Sequence, residues 1–501
     1  MKYQNTTAIL LLTAMLAASL AACGDSTGET KTTDALTQTT ETAVVTEPAE
    51  YVAPEVDYGG EAVPFYVCHY NGPYKICAYD AITVEENDGD IINEAILRRN
   101  TKVEEQLNVK ITSYNNVDGN SNGAQPLIHS ILAADDAYDA ALLWQRQCST
   151  LLGSESYLLD LHSIDTLNMT ASWVNQNVNE VMTLFDKQYL MISDICMYSM
   201  LSGPCLFFSK TMVDQYDLDD PYQLVYDGKW TLDNFVKMSK QVSVDLNGDG
   251  TYDIYDAFGM NGSPTVMMLC VRAAGIQHTG IAEDGSGIAL LNNEKTVHIV
   301  DLLSDLLGDT HVNLIPDRLS KYAQNDVWYD VVLPMFKNNQ LLFTFNWVFY
   351  ALELRDMVSD FGLVPMPKYD EAQETHYTYL SDNWAECLMV PATVKDADKI
   401  GNVLNAMGYY SQQYVYPEVV ERTVNTKTMR DEAAGDMLNI IYNNILFDLN
   451  DFYLWDGRQT YSIWQNCVNK RSNVFSSTYA AIEKGMLKKM NQTLEELASA
   501  E

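Results

Sequence analysis

The stretch from Gln340 to Glu374 constrains the fold more than any other part of the sequence. Its first residues, 341–345, form an apolar run whose length, aromatic residues and threonine are typical of a strand buried on both faces. The next segment predicts a helix with one apolar face, formed by Trp347, Tyr350, Ala351, Leu354 and Val358. A second strand, 361–364, stops at Pro-Met-Pro. Strand, helix and strand in succession predict an α/β unit.

Asn346 and Trp347 fall where the first of these strands gives way to the helix. This is the carboxyl end of a strand, where open α/β sheets bind their ligands.

Helices and strands also alternate near the start of the folded region. Asp90 is a suitable N-cap for a helix ending near Leu107, and a strand, a helix and a further strand ending at Trp144 follow. Such alternation predicts a largely parallel sheet. The strand 62–69 is predicted at the edge of that sheet because Pro64 interrupts it.

The strand ending in Asn-Trp, the helix and the Gly-Leu-Val-Pro-Met-Pro-Lys-Tyr-Asp turn at 362–370 resemble a known family. It is the maltose-binding-protein-like (family 1) group of carbohydrate-binding, extracellular solute-binding lipoproteins of bacterial ABC importers. Asp-Gly-Lys-Trp-Thr at 227–231 is similar to an element of the same group, and the resemblance covers nearly everything after residue 60.

The resemblance implies an α/β, two-lobed periplasmic-binding-protein-like fold with a hinge and a helical C-terminal region. Lobe one would comprise 61–190 and 376–412, and lobe two 191–375 and 413–501. The hinge would lie near 202–205 and 367–380.

Residues 1–23 have the features of a secretory signal: Lys2 near the start, an apolar core and small residues before Cys23. The ending Leu-Ala-Ala-Cys looks like a lipobox, in which Cys23 would be lipidated; an ordinary signal peptide with a chance cysteine is the alternative. Residues 24–60 are rich in Thr and Glu, which predicts a disordered tether. The protein is therefore expected at the extracellular face of the cell membrane, held by a lipid anchor only.

The chain carries 68 acidic and 31 basic residues, a formal net charge of -37. This balance argues against nucleic-acid binding, which requires Lys and Arg to neutralise phosphates. Solubility of an exported protein is a sufficient reason for the acidity. The eight cysteines after Cys23 lie mostly in apolar runs, which predicts mostly free, buried thiols.

The segment from Asp245 to Asp256 matches a calcium-binding loop. Oxygen ligands fall at the required positions, with Thr251 contributing its carbonyl, and Gly250 stands where the chain must turn sharply. The predicted ligands of a structural Ca²⁺ are Asp245, Asn247, Asp249, Thr251, Asp253 and Asp256. A solvated acidic turn without metal is the alternative.

Motifs of catalysis are missing from the sequence: the seven histidines have no metal-binding spacing, and there is no nucleophile elbow or phosphate-binding loop. A glycosidase carboxylate pair leaves no sequence signature and stays open. The expectation is a binding protein, not an enzyme.

A sugar site needs aromatic rings for the CH faces and polar groups for the hydroxyls. The resemblance implies that Trp347 stacks on a sugar ring, with Asn346 beside it. Four further residues are candidates for sugar binding. Asp382, Asn383 and Trp384 are consecutive, and Trp144 ends a predicted strand.

The expected function is capture of an oligosaccharide between two lobes and its delivery to the permease subunits of an ABC transporter, by a monomer. A surface glycan-binding lipoprotein without a transport role is the alternative.

Overall fold

A computed structural model describes residues 51–68, 72–85, 89–116, 123–152, 157–380, 382–424 and 432–499. The predicted signal peptide, its Cys23 and most of the predicted tether lie outside the described residues. Within the described part of the chain, no helix is long and apolar enough to cross a membrane.

The strands, in chain order, are β1 Glu61–Cys68, β2 Val109–Asn116, β3 Ala140–Trp144, β4 Pro204–Ser209, β5 Ser243–Val244, β6 Ala257–Asn261, β7 Thr279–Ile281, β8 Gly287–Ala289, β9 Asn313–Leu314, β10 Leu341–Trp347, β11 Phe361–Pro365 and β12 Glu386–Met389.

The α-helices are α1 Ile91–Leu107, α2 Gln125–Ala133, α3 Gln145–Cys148, α4 Gln176–Met182, α5 Met197–Leu201, α6 Lys210–Gln215, α7 Pro221–Tyr226, α8 Leu232–Lys240, α9 Pro264–Ala273, α10 Glu294–Gly308, α11 Leu333–Lys337, α12 Ala397–Tyr410, α13 Tyr416–Val424, α14 Glu432–Asn443, α15 Leu449–Tyr453, α16 Gln459–Lys470 and α17 Phe475–Ser499.

Two sheets organise the molecule. The first has the order β12-β3-β1-β2, in which β1 is parallel to both β2 and β3 and β12 is antiparallel to β3. The second has the order β11-β4-β10-β6-β5, with β9 paired to β6. The fold is α/β and two-lobed, as predicted. The strands of each sheet fall inside the residue ranges predicted for lobe one and lobe two, whose exact limits stay a prediction.

The chain reaches the second sheet at β4, leaves it after β11 and rejoins the first sheet at β12. The segments between the sheets therefore include 202–203 and 366–385, next to the positions where the family resemblance places the hinge. The helices α14 to α17 form the helical C-terminal region.

The strand β10 is buried at every position except Trp347, because it lies in the interior of the second sheet between β4 and β6. The predicted amphipathic helix after it is wrong in length: only a short 3-10 helix, Val348–Leu352, forms. Val358 is 97% exposed and so does not belong to an apolar face.

The first strand was predicted at an edge, and this is also wrong, since β1 pairs with β2 and β3. Pro64 is accommodated because the register with β3 begins one residue later, at Phe65 opposite Ala140. At Pro64 the strand therefore has β2 alone as a ladder partner, opposite Thr112.

The predicted tether extends too far towards the folded region. The Tyr51 ring stacks on that of Tyr409, with 4.7 Å between the ring centroids, and its hydroxyl accepts a hydrogen bond of 2.7 Å from Gln106. Tyr51 thus packs on the folded part, whereas most residues from 52 to 60 are exposed and the rest of the predicted tether lies outside the described residues. Its Thr- and Glu-rich composition concealed these tyrosine contacts.

The caps and cysteines follow the predictions closely. The Asp90 carboxylate accepts a hydrogen bond from the backbone N–H of Ile92 at the start of α1, and Thr231 caps α8. The eight cysteines after Cys23 are free in the described structure, seven of them buried and Cys77 partly buried.

Candidate functional site

A cavity of about 470 Å³ is lined by the ends of strands from both large sheets. This volume lies within the range of roughly 300–1,000 Å³ that is usual for small-molecule sites. The structure brings all six predicted binding residues to its wall: Trp144, Asn346, Trp347, Asp382, Asn383 and Trp384. We call these residues the strand-end wall; their role in binding stays a prediction.

Backbone hydrogen bonds hold the two loops of the strand-end wall together. The N–H of Gln145 donates to the carbonyl of Ala385 at 2.8 Å, and the N–H of Arg146 donates to the carbonyl of Asp382 at 3.1 Å. The Arg146 guanidinium also donates to the side-chain oxygen of Asn383. Because β3 and β12 are neighbours in the sheet, the segments that adjoin them are brought to the same edge.

The three tryptophans of this wall differ in accessibility. Trp144 is 1% exposed and Trp384 is 8% exposed, whereas Trp347 is only partly buried. The Trp384 ring packs against Phe349 with 4.4 Å between centroids. Trp347 touches Phe345 edge-on at 5.3 Å. Trp347 is therefore the tryptophan of this wall with the most surface to offer a ligand.

The opposite side of the cavity was not predicted. It consists of charged and polar residues at the end of α9, in the loop that follows it, in α15 and in the loop before α16: Arg272, His278, Asp451, Asp456 and Arg458. We call these residues the helical wall.

Arg272 is the centre of the helical wall. Its side chain, 6% exposed, forms ion pairs with Asp448 at 3.2 Å and with Asp451 at 2.5 Å. Asp448 is fully buried and accepts further hydrogen bonds from the backbone N–H groups of His278 and Thr279, at 2.5 and 3.0 Å, and from the Thr279 hydroxyl at 2.8 Å. Two carboxylates thus share one guanidinium.

The two carboxylates respond differently to that shared cation. Burial alone would raise the pKa of Asp448, but Arg272, His278 and the hydrogen bonds from Thr279 outweigh burial, so its pKa lies below the usual range. Burial raises the pKa of Asp451 well above the usual range, because Arg272 offsets the lost hydration only in part. Of the two carboxyl groups, Asp448 is therefore the one that ionises more readily.

His278 contributes polarity to this wall without adding charge. Its two ring nitrogens lie 2.9 Å from the Asn450 side-chain nitrogen and 3.4 Å from the Thr460 hydroxyl. Burial lowers the pKa of His278, which favours the neutral imidazole.

Asp456 and Arg458 complete the helical wall. Asp456 accepts hydrogen bonds from the backbone N–H groups of Arg458 and Thr460, at 3.0 and 3.2 Å. Arg458 forms an ion pair with Asp382 of the strand-end wall. This pair connects the two walls across the cavity rim.

Aromatic side chains make up much of the lining of the whole cavity, the three tryptophans of the strand-end wall included. Ten are in contact with the cavity: Tyr74, Trp144, Trp328, Phe345, Trp347, Phe349, Tyr379, Trp384, Tyr461 and Trp464. Rings beside amides, carboxylates and guanidiniums form a surface that suits a ligand with both apolar faces and hydroxyl groups.

The predicted calcium loop lies apart from this cavity, since none of its six predicted ligands is in the lining. In the described part of the chain, no group of three or more His, Cys, Asp or Glu side chains is arranged to hold a metal ion.

A signal for the helical wall was present in the sequence. Asp448 to Arg458 reads Asp-Leu-Asn-Asp-Phe-Tyr-Leu-Trp-Asp-Gly-Arg, which is unusually dense in carboxylates and aromatic residues. Arg272 also ends an otherwise apolar helix, and a charge in such a position requires a partner.

No protein-family model matches the chain, and no curated protein matches it. Solved structures do. One is the ABC substrate-binding protein Lmo0181 from Listeria monocytogenes in complex with cycloalternan, which is 14% identical in sequence. The two structures superpose with a TM-score of 0.57, and the match covers 86% of this chain and 99% of the Listeria chain. This chain has the fold of the ABC solute-binding proteins.

Two further structures support the same fold. The galacto-N-biose-/lacto-N-biose I-binding protein of Bifidobacterium longum, in complex with lacto-N-biose, is 11% identical, with a TM-score of 0.57 and coverage of 87% of this chain and 98% of its own. The GacH receptor of Streptomyces glaucescens, studied unliganded and with acarbose, is 12% identical, with a TM-score of 0.54 and coverage of 87% and 99%.

Proposed function

We propose that the protein is an extracellular solute-binding protein, not an enzyme, that captures an oligosaccharide in this cavity. The observation that carries the proposal is the composition of the cavity wall, in which ten aromatic side chains lie beside amide, carboxylate and guanidinium groups. The CH faces of a pyranose pack on rings, and its hydroxyls both donate and accept hydrogen bonds. The complexes of Lmo0181 with cycloalternan and of the Bifidobacterium protein with lacto-N-biose support the same ligand class.

Trp347 and Asn346 have the central roles in this proposal. Trp347 ends β10 and is partly exposed, so its ring offers a platform for a sugar. The Asn346 side-chain oxygen accepts a hydrogen bond of 2.9 Å from the backbone N–H of Trp347, which orients the amide beside that platform. Asp382, Asn383, Trp384 and Trp144 would close the site from the first sheet.

We propose that the captured ligand is delivered to the permease of an ABC importer, and the two-lobed fold supports this role. Two-lobed binding proteins close around their ligand when the closed state binds it more tightly. Lipidation of Cys23 would hold the protein, a monomer, at the outer face of the membrane near such a permease. A surface glycan-binding lipoprotein without transport would share the cavity; uptake of labelled glycan by cells that lack the protein separates the two.

The carbohydrate proposal is tested by thermal unfolding of the full-length protein against a panel of neutral and amino-bearing oligosaccharides. A ligand at a hundredfold excess over its Kd stabilises the folded state by about 2.7 kcal/mol. One glycan class should raise the unfolding temperature, and Trp347→Ala should remove the rise. Tyr226→Ala, an aromatic residue 52% exposed and outside the cavity lining, is the control. No rise with any saturating sugar would contradict the proposal.

We also propose that the loop Asp245–Asp256 binds a structural Ca²⁺. The Asp245 carboxylate accepts hydrogen bonds from the N–H groups of Gly248 and Gly250, at 2.7 and 2.8 Å. Buried Asp256 accepts from the N–H groups of Leu246 and Asp253, at 2.9 and 2.8 Å, which ties the two ends of the loop together. Gly250 has a φ of 79°, the left-handed conformation that glycine adopts readily at such a turn.

Calcium titration tests this second proposal. Ca²⁺ should raise the unfolding temperature of the wild-type protein and a chelator should lower it, because an ion that binds only the folded state stabilises that state. Asp249→Ala should remove the response, whereas Asp219→Ala, an exposed carboxylate outside the loop, should keep it. An equal response to Ca²⁺ in wild type and Asp249→Ala, or none in either, would contradict the proposal.

A further inference from the structure

One carboxylate oxygen on the helical wall lacks a partner. The Asp451 side chain lines the cavity and is 8% exposed, and its Oδ1 receives the Arg272 guanidinium at 2.5 Å. Its Oδ2 is buried and has no hydrogen-bond partner among the residues that the structure describes. A buried polar atom without a partner destabilises the folded state. The wall therefore holds an unpaired acceptor on a side chain that lines the cavity.

Negative groups outnumber positive ones around that acceptor. Among the described residues, the cavity lining contains five aspartates, Asp317, Asp326, Asp382, Asp451 and Asp456, against three arginines, Arg146, Arg272 and Arg458.

Two of these three arginines are already engaged with carboxylates. Arg272 also pairs with Asp448, and Arg458 pairs with Asp382. The neutral imidazole of His278 adds no compensating charge. An anionic ligand group would thus meet an excess of carboxylates at this wall, whereas a cation would relieve it.

The aromatic lining favours a cation for a second reason. The faces of aromatic rings carry negative potential, and they attract ammonium groups with about 0.5–2 kcal/mol. The wall already holds one such contact, since the Arg272 guanidinium carbon lies 5.4 Å from the centroid of Tyr379. The same cavity can therefore receive both a pyranose face and a positive charge.

We propose that the oligosaccharide carries an unsubstituted amino group, and that its ammonium donates a hydrogen bond to Oδ2 of Asp451. This inference rests on the carbohydrate-binding function proposed above and names the substrate class of the same cavity.

A neutral hydroxyl is the competing occupant of this position. Burial raises the pKa of Asp451 well above its usual range, so this carboxyl gives up its proton less readily than an exposed aspartate. A neutral hydroxyl would leave that tendency unchanged, whereas an ammonium would favour the carboxylate and pair with it. The two occupants therefore differ in proton release and in their response to replacement of Asp451 by the uncharged, isosteric asparagine.

Calorimetric titration of the full-length protein distinguishes them. The probes are the β-1,4-linked glucosamine disaccharide, its N-acetylated form and cellobiose, together with galactosamine and mannosamine and their neutral parent sugars. At about pH 6.5, where amines of this kind are protonated, at least one amino sugar should bind about tenfold or more tightly than its neutral counterparts. In buffers of different ionisation enthalpy, binding of the amino sugar should release more protons than binding of its neutral counterparts.

The variants assign the preference to Asp451. Asp451→Asn should reduce the affinity ratio between the amino sugar and its neutral counterparts to about 1. Asp451→Glu, which keeps the charge, should retain a preference for the amino sugar. Asp219→Asn, which removes a charge at an exposed position outside the cavity lining, should keep the wild-type ratio. Proton release is measured on the wild-type protein, so that readout does not depend on the folding of any variant.

Three results would overturn the inference. If neutral sugars bind as tightly as amino sugars, the charge preference is wrong and the carbohydrate function stands. If the preference survives in Asp451→Asn, another residue recognises the amine. If none of these sugars binds, the proposed function falls together with this inference.

Discussion

The strand-end wall and the helical wall enclose the same cavity but are held in place by different forces. In the first, backbone hydrogen bonds join the segments next to β3 and β12, and Asp382 is the one carboxylate among its indoles and amides. Buried ion pairs around Arg272 fix the second, between residues 176 and 179 positions apart. The comparison teaches that one side of the site depends on local chain geometry, whereas the other depends on compensation of charge.

The largest difference between the walls should appear when an arginine is removed. Arg272→Ala leaves buried Asp448 without its cation, so the free energy of unfolding should fall by about 3–5 kcal/mol. Arg458→Ala breaks a pair whose arginine side chain is 40% exposed, so the loss should be about 1 kcal/mol or less. Urea denaturation measures both. Equal losses would show that burial does not distinguish the two pairs.

A buried acid beneath the strand-end wall should make stability depend on pH. Glu386 begins β12 and is 1% exposed, and burial raises its pKa to about 8. Since the folded pKa lies above the unfolded value of about 4.3, the stability that this group contributes is complete below that value and is lost as the pH rises to about 8.

Glu386→Gln removes this titration. From pH 5 to pH 8 the variant should gain roughly 3 kcal/mol in unfolding free energy relative to wild type. Urea denaturation across this pH range measures the difference, with Asp219→Asn as an exposed control. A constant difference between variant and wild type would contradict the assignment.

Replacing tryptophans should separate binding from folding. Trp347→Ala, at a partly exposed position, should weaken oligosaccharide binding by about 2 kcal/mol, as truncation of an aromatic anchor commonly does. Trp230→Ala, outside the cavity lining, should instead lower the free energy of unfolding by about 3–5 kcal/mol, because this residue is 0% exposed and packs against Phe343 with 5.7 Å between centroids. Calorimetry and urea denaturation of both variants give the comparison. A large stability loss in Trp347→Ala would mean that its ring is structural.

The strand-end wall was predictable because its signals are local. An apolar run that ends in Asn346 and Trp347 indicates both a strand and the polar residues at its end. The helix predicted from an Asp90 cap to about Leu107 was similarly confirmed as α1, since its N-cap signal is local. Local patterns misled at Val358 and at Pro64, where the position of the neighbouring strands decided the outcome.

The helical wall could not be assembled from local patterns. Nothing near Arg272 in the sequence identifies Asp448 and Asp451 as its partners, because their pairing depends on the packing of α9 against the C-terminal helices. The individual charges in apolar surroundings were visible, but the network that joins them is a property of the fold.

Tryptophan fluorescence during titration with an oligosaccharide tests the central claim most directly. Five of the eight tryptophans line the cavity, Trp144, Trp328, Trp347, Trp384 and Trp464, so a sugar that enters it must change their surroundings. The emission should change saturably, with a midpoint equal to the calorimetric Kd. In Trp347→Ala the midpoint should shift to a higher sugar concentration. Saturable binding with no change in emission, or with the same midpoint in the variant, would place the sugar elsewhere and contradict the claim.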